Sequence, residues 1–180
     1  MYSISSENTP KLSGEILVPG DKSISHRALI LGSMVNGRIE IKNLLESEDV
    51  IATANALKTL GVTIKKFKNK WEICGQGIGS FSGSNYLLNM GNSGTAARLL
   101  MGVVAGSDVE ATFTGDESLS KRPMRRVILP LLKTGAMFKE PDKDTLPITL
   151  RGNKIPLPLT YQSPVSSAQI KSCILLSGLS

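Results

Sequence analysis

The stretch that decides the fold is GSMVNGRIEI, residues 32–41, because a similar stretch, GVVAGSDVEA, follows at residues 102–111. A second pair recurs at a similar spacing: KTLGVTIKKF at 58–67 resembles LKTGAMFKEP at 132–141. Each pair joins the end of a helical pattern to a strand pattern. One supersecondary unit therefore occurs twice, about 70 residues apart.

Around these repeats, the hydrophobic pattern predicts an α/β fold of β-α-β-α-β-β units. The first unit is predicted to hold strand Glu15–Val18, helix Ser23–Met34, strand Arg38–Ile41, a helix capped by Ser47 and running to Leu60, and a hairpin of Val62–Phe67 and Lys70–Cys74. The second is predicted to hold strand Tyr86–Leu88, helix Ser93–Val104, strand Val109–Thr114, helix Pro123–Leu132 and strands Ala136–Lys139 and Pro147–Leu150. Gly61 and Gly135 are expected to end the second helix of each unit.

A third unit is predicted to begin with a strand at Leu157–Tyr161 and a helix from Ser166. The units then span about 14–76, 84–152 and 156–180 of the 180 residues. The apolar helix containing IKSCILLSGL needs further strands to cover it. We therefore expect the third unit to be incomplete.

Composition restricts the function classes. The net charge is +6, but aromatic residues make up only 4%, which leaves little for stacking on nucleic-acid bases. No apolar run approaches the roughly 18 residues of a membrane span, and the N-terminus does not resemble a signal peptide. Cys74 and Cys173 lie far apart without nearby metal ligands, which indicates a reducing compartment. We expect a cytoplasmic protein that uses its positive charge on small anions.

Three predicted helix starts share one chemistry: GDKSISHRALIL at 20–31, GNSGTAARLL at 91–100 and PVSSAQIKSCILL at 164–176. Small polar residues in a first turn leave backbone N–H groups open to an anion. Lys22 and Arg27 add full charges to the first start, and Arg98 adds one to the second. Ordinary N-capping explains each start singly, whereas three together favour a phosphate or carboxylate cleft.

The segment TGDESLSKRPMRR, residues 114–126, is either a polar connector or an anion clamp, and its density of arginines favours the clamp, with Arg122 as the leading candidate. His26 is the only histidine, and its place in an apolar helix start favours a structural role. No catalytic triad or metal-ligand spacing is visible, and GDKS lacks the frame of a Walker A loop. The sequence therefore favours anion binding over nucleotide hydrolysis or metal chemistry.

Four ordered motifs resemble those of the enolpyruvylshikimate-phosphate synthases: PGDKSISHRALIL, GNSGTAARLLMG, GDESLSKRPM and SSAQIKSCILLSGL. The resemblance covers essentially the whole chain. It implies the enolpyruvyl transferase fold, in which each of two domains holds three βαβαββ units and the substrates lie between the domains. The chain would then be an incomplete N-terminal domain, with the second domain absent. The motif wording also resembles the branch that contains glyphosate-tolerant enzymes.

The resemblance also implies roles for individual residues. The residues matching shikimate 3-phosphate contacts are Lys22, Ser23, Arg27, Ser167, Ala168 and Gln169. Those matching phosphoenolpyruvate contacts are Lys22, Asn92, Gly94, Thr95, Arg122 and Gln169. Lys22 faces both substrates and is the implied catalytic residue.

The implied reaction transfers the enolpyruvyl group of phosphoenolpyruvate to the 5-hydroxyl of shikimate 3-phosphate and releases phosphate. It uses no metal or organic cofactor, and the implied parent is a monomeric glyphosate target in aromatic amino acid biosynthesis. The family's acid/base carboxylates belong to the second half, so we expect this chain alone to be inactive. Two alternatives stay open: a UDP-N-acetylglucosamine enolpyruvyl transferase, which carries Lys-Asn where this chain has Lys22-Ser23 and uses a loop cysteine, and a non-catalytic anion-binding module.

Overall fold

The chain folds into helices and strands in the computed structural model, which describes residues 3–9 and 11–179. The helices are α1 Lys22–Met34, α2 Glu48–Thr59, α3 Gly94–Ala105, α4 Glu117–Ser120, α5 Arg125–Lys133 and α6 Ala168–Ser177. The strands are β1 Asn36–Lys42, β2 Thr63–Lys66, β3 Lys70–Gln76, β4 Ser82–Asn89, β5 Asp108–Thr114, β6 Met137–Phe138 and β7 Ile148–Arg151.

The strands form two sheets whose internal order repeats. In the first sheet the order is β1-β3-β2, and β3 pairs antiparallel with both neighbours. In the second sheet the order is β4-β5-β7-β6, where β4 runs parallel to β5 and the other pairs are antiparallel. In both β1-β3-β2 and β5-β7-β6, the strand that comes last in the chain lies between the other two. The α/β fold class predicted from the sequence repeat is therefore confirmed.

The second unit contains every predicted element. Strands β4 and β5 are joined through α3, as a parallel pair requires, because only a crossover can connect parallel neighbours. Gly61 and Gly135 have φ angles of 94° and 89° where α2 and α5 end, a conformation that glycine adopts readily. The short helix α4 was not predicted, and α5 begins at Arg125 rather than at Pro123.

The strand predicted at Glu15–Val18 is wrong. Residues 11–20 have no regular secondary structure, and the side chains of Ile16 and Leu17 are 84% and 97% exposed. A strand exists only with a partner, and the ladder of β1 is formed with β3 alone. A short apolar run between Gly14 and Pro19 matches the strand pattern without supplying that partner.

The strand predicted at Leu157–Tyr161 is also wrong. The segment is irregular, and the Leu157 backbone N–H donates to the Thr134 carbonyl at 2.9 Å instead of to a neighbouring strand. Pro156 and Pro158 flank Leu157, and neither can donate a hydrogen bond to a ladder. The helix predicted after this segment is present as α6.

Helix α3 lies in the middle of the hydrophobic core and positions the candidate site. All of its residues are buried except Thr95 and Arg98, which are half-buried near its N-terminus. It packs against α6, where Gly102 faces the Cys173 carbonyl so closely that a Cβ at Gly102 would overlap that oxygen. Because the two backbones touch, the starts of α3 and α6 are held at a fixed separation.

Candidate anion-binding site

The start of α3 is a helix N-terminus that small residues leave open. The Ser93 hydroxyl oxygen caps it by accepting the Ala96 backbone N–H at 3.1 Å. A Cβ at Gly94 would lie 2.7 Å from Arg98 Nη1 and 3.5 Å from Arg122 Nη1. Glycine therefore lets two guanidinium groups approach a helix end that already favours anions.

Arg122 is held at this helix end by a short chain of hydrogen bonds. Its guanidinium donates to Asn92 Oδ1 at 2.7 Å, to the Asn92 carbonyl at 3.3 Å and to Ser118 Oγ at 3.1 Å. Asn92 in turn donates from Nδ2 to Asp116 Oδ2 at 2.6 Å. That hydrogen bond, with a second from the Leu119 backbone N–H, lowers the pKa of Asp116. Asp116 stays ionised and orients Asn92 against Arg122.

A second chain of hydrogen bonds joins α3 to α6. Arg98 Nη1 donates to Gln169 Oε1 at 3.1 Å, and Gln169 Nε2 donates to Thr95 Oγ1 at 2.9 Å. Arg98 also donates to the Gly94 carbonyl at 3.2 Å and to the Pro123 carbonyl at 3.1 Å. Burial, followed by the nearby charges of Arg122 and Arg126, lowers the pKa of Arg98. The start of α3 therefore carries positive charge and is partly shielded from solvent.

Lys22 occupies the first turn of α1 and forms an ion pair with Asp49 in the first turn of α2. Its side chain is 51% exposed, whereas that of Asp49 is 21% exposed. Asp21 caps the helix by accepting the Ile24 backbone N–H at 2.7 Å. The lysine is thus presented to solvent by a helix start and restrained from behind by one carboxylate.

Arg27 connects α1 to α6. It donates to the Ser23 carbonyl at 3.0 Å and to Ser172 Oγ at 2.7 Å. At the start of α6, Ser167 Oγ caps the helix by accepting the Ile170 backbone N–H at 3.4 Å. The Ser167 hydroxyl hydrogen can still donate outward.

His26 is fully buried between α1 and α2. Its Nδ1 lies 2.7 Å from Thr53 Oγ1, which is also fully buried. Burial lowers the pKa of His26 to about 4, although the nearby carboxylate of Asp49 acts in the opposite direction. The imidazole is therefore neutral at neutral pH, as its predicted structural role requires.

The structure brings one part of the predicted site into direct contact and leaves another part separate. One hydrogen-bonded group contains Asn92 and Arg122, and the other links Thr95 to Gln169. Within residues 3–9 and 11–179, Lys22 has no hydrogen bond to either group. Ser23 and Ala168 are exposed at their helix starts.

The sequence pattern does not predict two of the partners in this site. Arg98 was counted only as a nearby charge, although an arginine within the otherwise apolar helix 94–105 is a signal that its guanidinium is used. Asp49 is the second, and the sequence pattern gives it no part in the predicted site. Its pairing with Lys22 depends on how α1 packs against α2, which no local pattern specifies.

The described residues contain no cluster of three or more potential metal ligands, and none of their helices is long and apolar enough to cross a membrane. Cys173 is buried in α6, where burial raises the pKa of its thiol to about 12. Cys74 lies in β3. Neither cysteine is in the 114–126 loop, which counts against a loop-cysteine mechanism.

Fold and site together define a protein in which, apart from the short α4, an α-β-α-β-β arrangement occurs twice, preceded in the second unit by β4, and in which cationic side chains gather around helix N-termini. A family model described as EPSP synthase (3-phosphoshikimate 1-carboxyvinyltransferase) matches residues 6–180. The chain belongs to the EPSP synthase family. The resemblance to this family that the four motifs indicate is thereby confirmed.

Individual relatives agree. The chain is 51% identical to a 3-phosphoshikimate 1-carboxyvinyltransferase of Parvibaculum lavamentivorans over 178 residues, which are 98% of this chain and 40% of that protein. It is also 51% identical to the enzyme of that name from Zymomonas mobilis, covering 97% of this chain and 39% of the relative. The solved EPSP synthase of Acinetobacter baumannii matches with a TM-score of 0.86 at 40% identity, over 92% of this chain and 38% of that one. The chain therefore spans about two-fifths of the length of these relatives.

Proposed function

We propose that this chain forms one wall of the active site of an enzyme that transfers the enolpyruvyl group of phosphoenolpyruvate to the 5-hydroxyl of shikimate 3-phosphate. The observation that carries the proposal is the pair of hydrogen-bonded groups at the start of α3, Asn92 with Arg122 and Thr95 with Gln169. They converge on a helix end that favours anions, in a chain that belongs to the EPSP synthase family.

On the phosphoenolpyruvate side, Arg122 pairs with the anionic groups of the substrate. Asn92 fixes the Arg122 guanidinium, and Gly94 leaves the first turn of α3 open to the substrate. Thr95 and Gln169 add neutral hydrogen-bond donors next to these charges. Preorganised donors of this kind lower the energy of a transition state in which charge develops on the substrate.

On the shikimate 3-phosphate side, Ser167 and the backbone N–H of Ala168 donate to the phosphate from the start of α6. Ser23 and Arg27 bind from α1, which Arg27 ties to α6 through Ser172. Lys22 faces both substrates and exchanges its ion pair with Asp49 for them. These groups hold two polyanions close together, which charge repulsion would otherwise prevent.

In the reaction, a proton is added to the methylene carbon of phosphoenolpyruvate, and the 5-hydroxyl oxygen bonds to the adjacent carbon as it loses its own proton. The tetrahedral adduct then loses a proton from the methyl group and expels phosphate. Lys22 stabilises the negative charge on the departing phosphate. The proton-transferring carboxylates are assigned to the rest of the enzyme, outside these 180 residues. No metal or organic cofactor takes part in this scheme.

The test uses an enzyme of family length that carries this chain as its N-terminal part. Phosphate release should require both phosphoenolpyruvate and shikimate 3-phosphate. Turnover with UDP-N-acetylglucosamine in place of shikimate 3-phosphate would identify the rival transferase instead. Binding of both anions without turnover would reduce the protein to an anion-binding module.

The chain alone should bind without catalysing, because differential stabilisation of the transition state needs groups on both sides of the reacting carbon. We expect shikimate 3-phosphate to bind residues 1–180 with a dissociation constant of about 1 mM, or roughly 4 kcal/mol. Calorimetry measures that affinity. Substrate-dependent phosphate release by the purified chain would contradict the assignment.

We also propose a cytoplasmic, monomeric parent enzyme that glyphosate inhibits by occupying the phosphoenolpyruvate place. Two free cysteines, one of them buried, suit a reducing compartment. Cell fractionation tests the location and sedimentation tests the oligomeric state. Competition between glyphosate and phosphoenolpyruvate tests the inhibitor site.

A further inference from the structure

We propose that Arg98 is a positioning residue that sets the orientation of the Gln169 side-chain amide. By doing so, it makes both Gln169 and Thr95 hydrogen-bond donors toward the anion at the start of α3. The inference rests on the proposed function for the identity of that anion. The orientation itself follows from the contacts of Arg98.

The guanidinium group of Arg98 fixes which end of the Gln169 amide lies next to it. Arginine carries N–H donors and no acceptor, so the Gln169 atom that lies 3.1 Å from Arg98 Nη1 must be the carbonyl oxygen Oε1. The other end of the same amide, Nε2, then faces Thr95 Oγ1 at 2.9 Å. Arg98 therefore decides which end of the amide points toward α3.

The Gln169 amide nitrogen Nε2 carries two hydrogens, and it donates one of them to Thr95. The Thr95 hydroxyl accepts that bond, so its own hydrogen is directed elsewhere, and no other described residue hydrogen-bonds to it. One hydrogen of Gln169 and one of Thr95 are thus available to an anion. A flipped amide would present Oε1 instead, and that oxygen would repel the anion.

Arg98 is itself held in place by hydrogen bonds to backbone carbonyls. Its remaining bonds go to the Gly94 carbonyl on α3 and the Pro123 carbonyl before α5, so the guanidinium spans three segments. It is half-buried behind the helix start. Its hydrogen bonds are thus directed at the protein, and it acts on the anion through Gln169.

The experiment is a double-mutant cycle in the family-length enzyme that carries this chain. Arg98→Met should raise KM for phosphoenolpyruvate about tenfold, with a smaller change in kcat. In a Gln169→Ala background the same substitution should raise it less than about twofold, because the group that Arg98 orients is gone. Arg98→Lys, which keeps a donor-only cation, should recover most of the loss. If Arg98→Met does not fold, Arg98→Gln, which also removes the charge, is carried through the same cycle with the same expected factors.

Arg126 provides the matched control. It is an exposed arginine whose charge acts on Arg98, and it makes no hydrogen bond to Gln169. Arg126→Met removes the same charge and should change KM for phosphoenolpyruvate less than about threefold. An effect equal to that of Arg98→Met would assign the loss to charge alone and overturn the proposal. Equal factors for Arg98→Met in the two Gln169 backgrounds would overturn it as well.

A spectroscopic arm separates this inference from the proposed function. The Gln169 side-chain NH₂ signals of the substrate-free protein are assigned by their loss in Gln169→Ala. Arg98→Met should move them toward the positions typical of a solvent-exposed glutamine amide, because the hydrogen bond that orients the amide is lost, whereas Arg126→Met should leave them in place. If the enzyme does not transfer the enolpyruvyl group, the proposed function is refuted, but the NMR comparison still tests whether Arg98 orients the Gln169 amide. Unmoved signals in Arg98→Met would refute the inference even in an active enzyme.

Discussion

The starts of α1 and α3 present similar chemistry to an anion but are held in place differently. At α3 the side chains are tied by directed hydrogen bonds, from Arg122 to Asn92 and from Arg98 to Gln169. At α1 the half-exposed Lys22 is restrained by a single ion pair with Asp49. Behind α1 lies a buried histidine, whereas the acidic group beside the start of α3, Asp116, is exposed and stays ionised.

The difference separates two ways of preparing a site. Hydrogen bonds of fixed geometry make the α3 start rigid before the anion arrives, so little reorganisation is left for binding. An exposed ion pair is weak and exchanges readily, so Lys22 can turn from Asp49 to a substrate at small cost. The α1 start should therefore respond to pH and to single charge changes, and the α3 start to changes of shape.

The largest effect should come from the histidine behind α1. Because its pKa falls from 6.5 unfolded to about 4 folded, the unfolded chain binds more protons between those values. The folding stability contributed by neutral His26 is present above about pH 6.5 and is lost as the pH falls toward 4, by about 3 kcal/mol in total. Denaturant unfolding of the chain and of His26→Asn at several pH values measures it. Parallel pH profiles of the two proteins would contradict it.

The next effect breaks the α1 start directly. Lys22→Ala in the family-length enzyme removes a charge that we propose faces both substrates, so each should bind more weakly by on the order of 2–3 kcal/mol, about a hundredfold. Calorimetry with each substrate separately is the measurement. Asp49→Asn is the matched variant, because it frees Lys22 and should preserve or improve binding. Normal binding of both substrates to Lys22→Ala would end the assignment.

A smaller effect should divide the two substrates between the helix starts. Arg122→Ala should raise KM for phosphoenolpyruvate about tenfold and change that for shikimate 3-phosphate little. Ser167→Ala should do the reverse, since Ser167 belongs to the start of α6. Steady-state kinetics with each substrate varied in turn give both numbers. If either substitution weakens the two substrates equally, the division is wrong.

The smallest effect tests the shape of the α3 start. The methyl group of Gly94→Ala would press on Arg98 Nη1, a terminal atom that should move slightly while its hydrogen bonds to Gln169 and Pro123 are kept. Affinity for phosphoenolpyruvate should fall only about threefold, whereas glyphosate inhibition should be clearly relieved. Inhibition curves at fixed phosphoenolpyruvate compare the two enzymes. Unchanged inhibition would show that Gly94 does not border the inhibitor.

Local patterns in the sequence predict most of this fold. Helices α1, α2, α3 and α6 follow from apolar runs behind small capping residues, and the hairpin of β2 and β3 from alternation around a turn. The strands predicted at Glu15–Val18 and Leu157–Tyr161 fail for one reason. A strand needs a neighbouring strand to pair with, and the tertiary structure decides whether that neighbour is present.

The candidate site was predictable only in its local parts. Asn92, Gly94 and Arg122 belong to recognisable motifs. The bond from Arg98 to Gln169 crosses 71 residues of sequence, and the link from Arg27 to Ser172 crosses 145. Such contacts depend on how α3, α6 and α1 pack against one another. The sequence patterns at the helix starts therefore indicate anion binding, but they do not predict the residues that orient the anion-binding side chains.

The contact at Gly102 has a consequence for the entropy of binding. Since the α3 backbone there touches the Cys173 carbonyl, the two helices have no side-chain layer between them that could rearrange at this point. The donors at Thr95 and Gln169 then move as one body, and their conformational freedom is already lost when the protein folds. An anion that binds them restricts little further motion, so more of its hydrogen-bond energy remains as affinity.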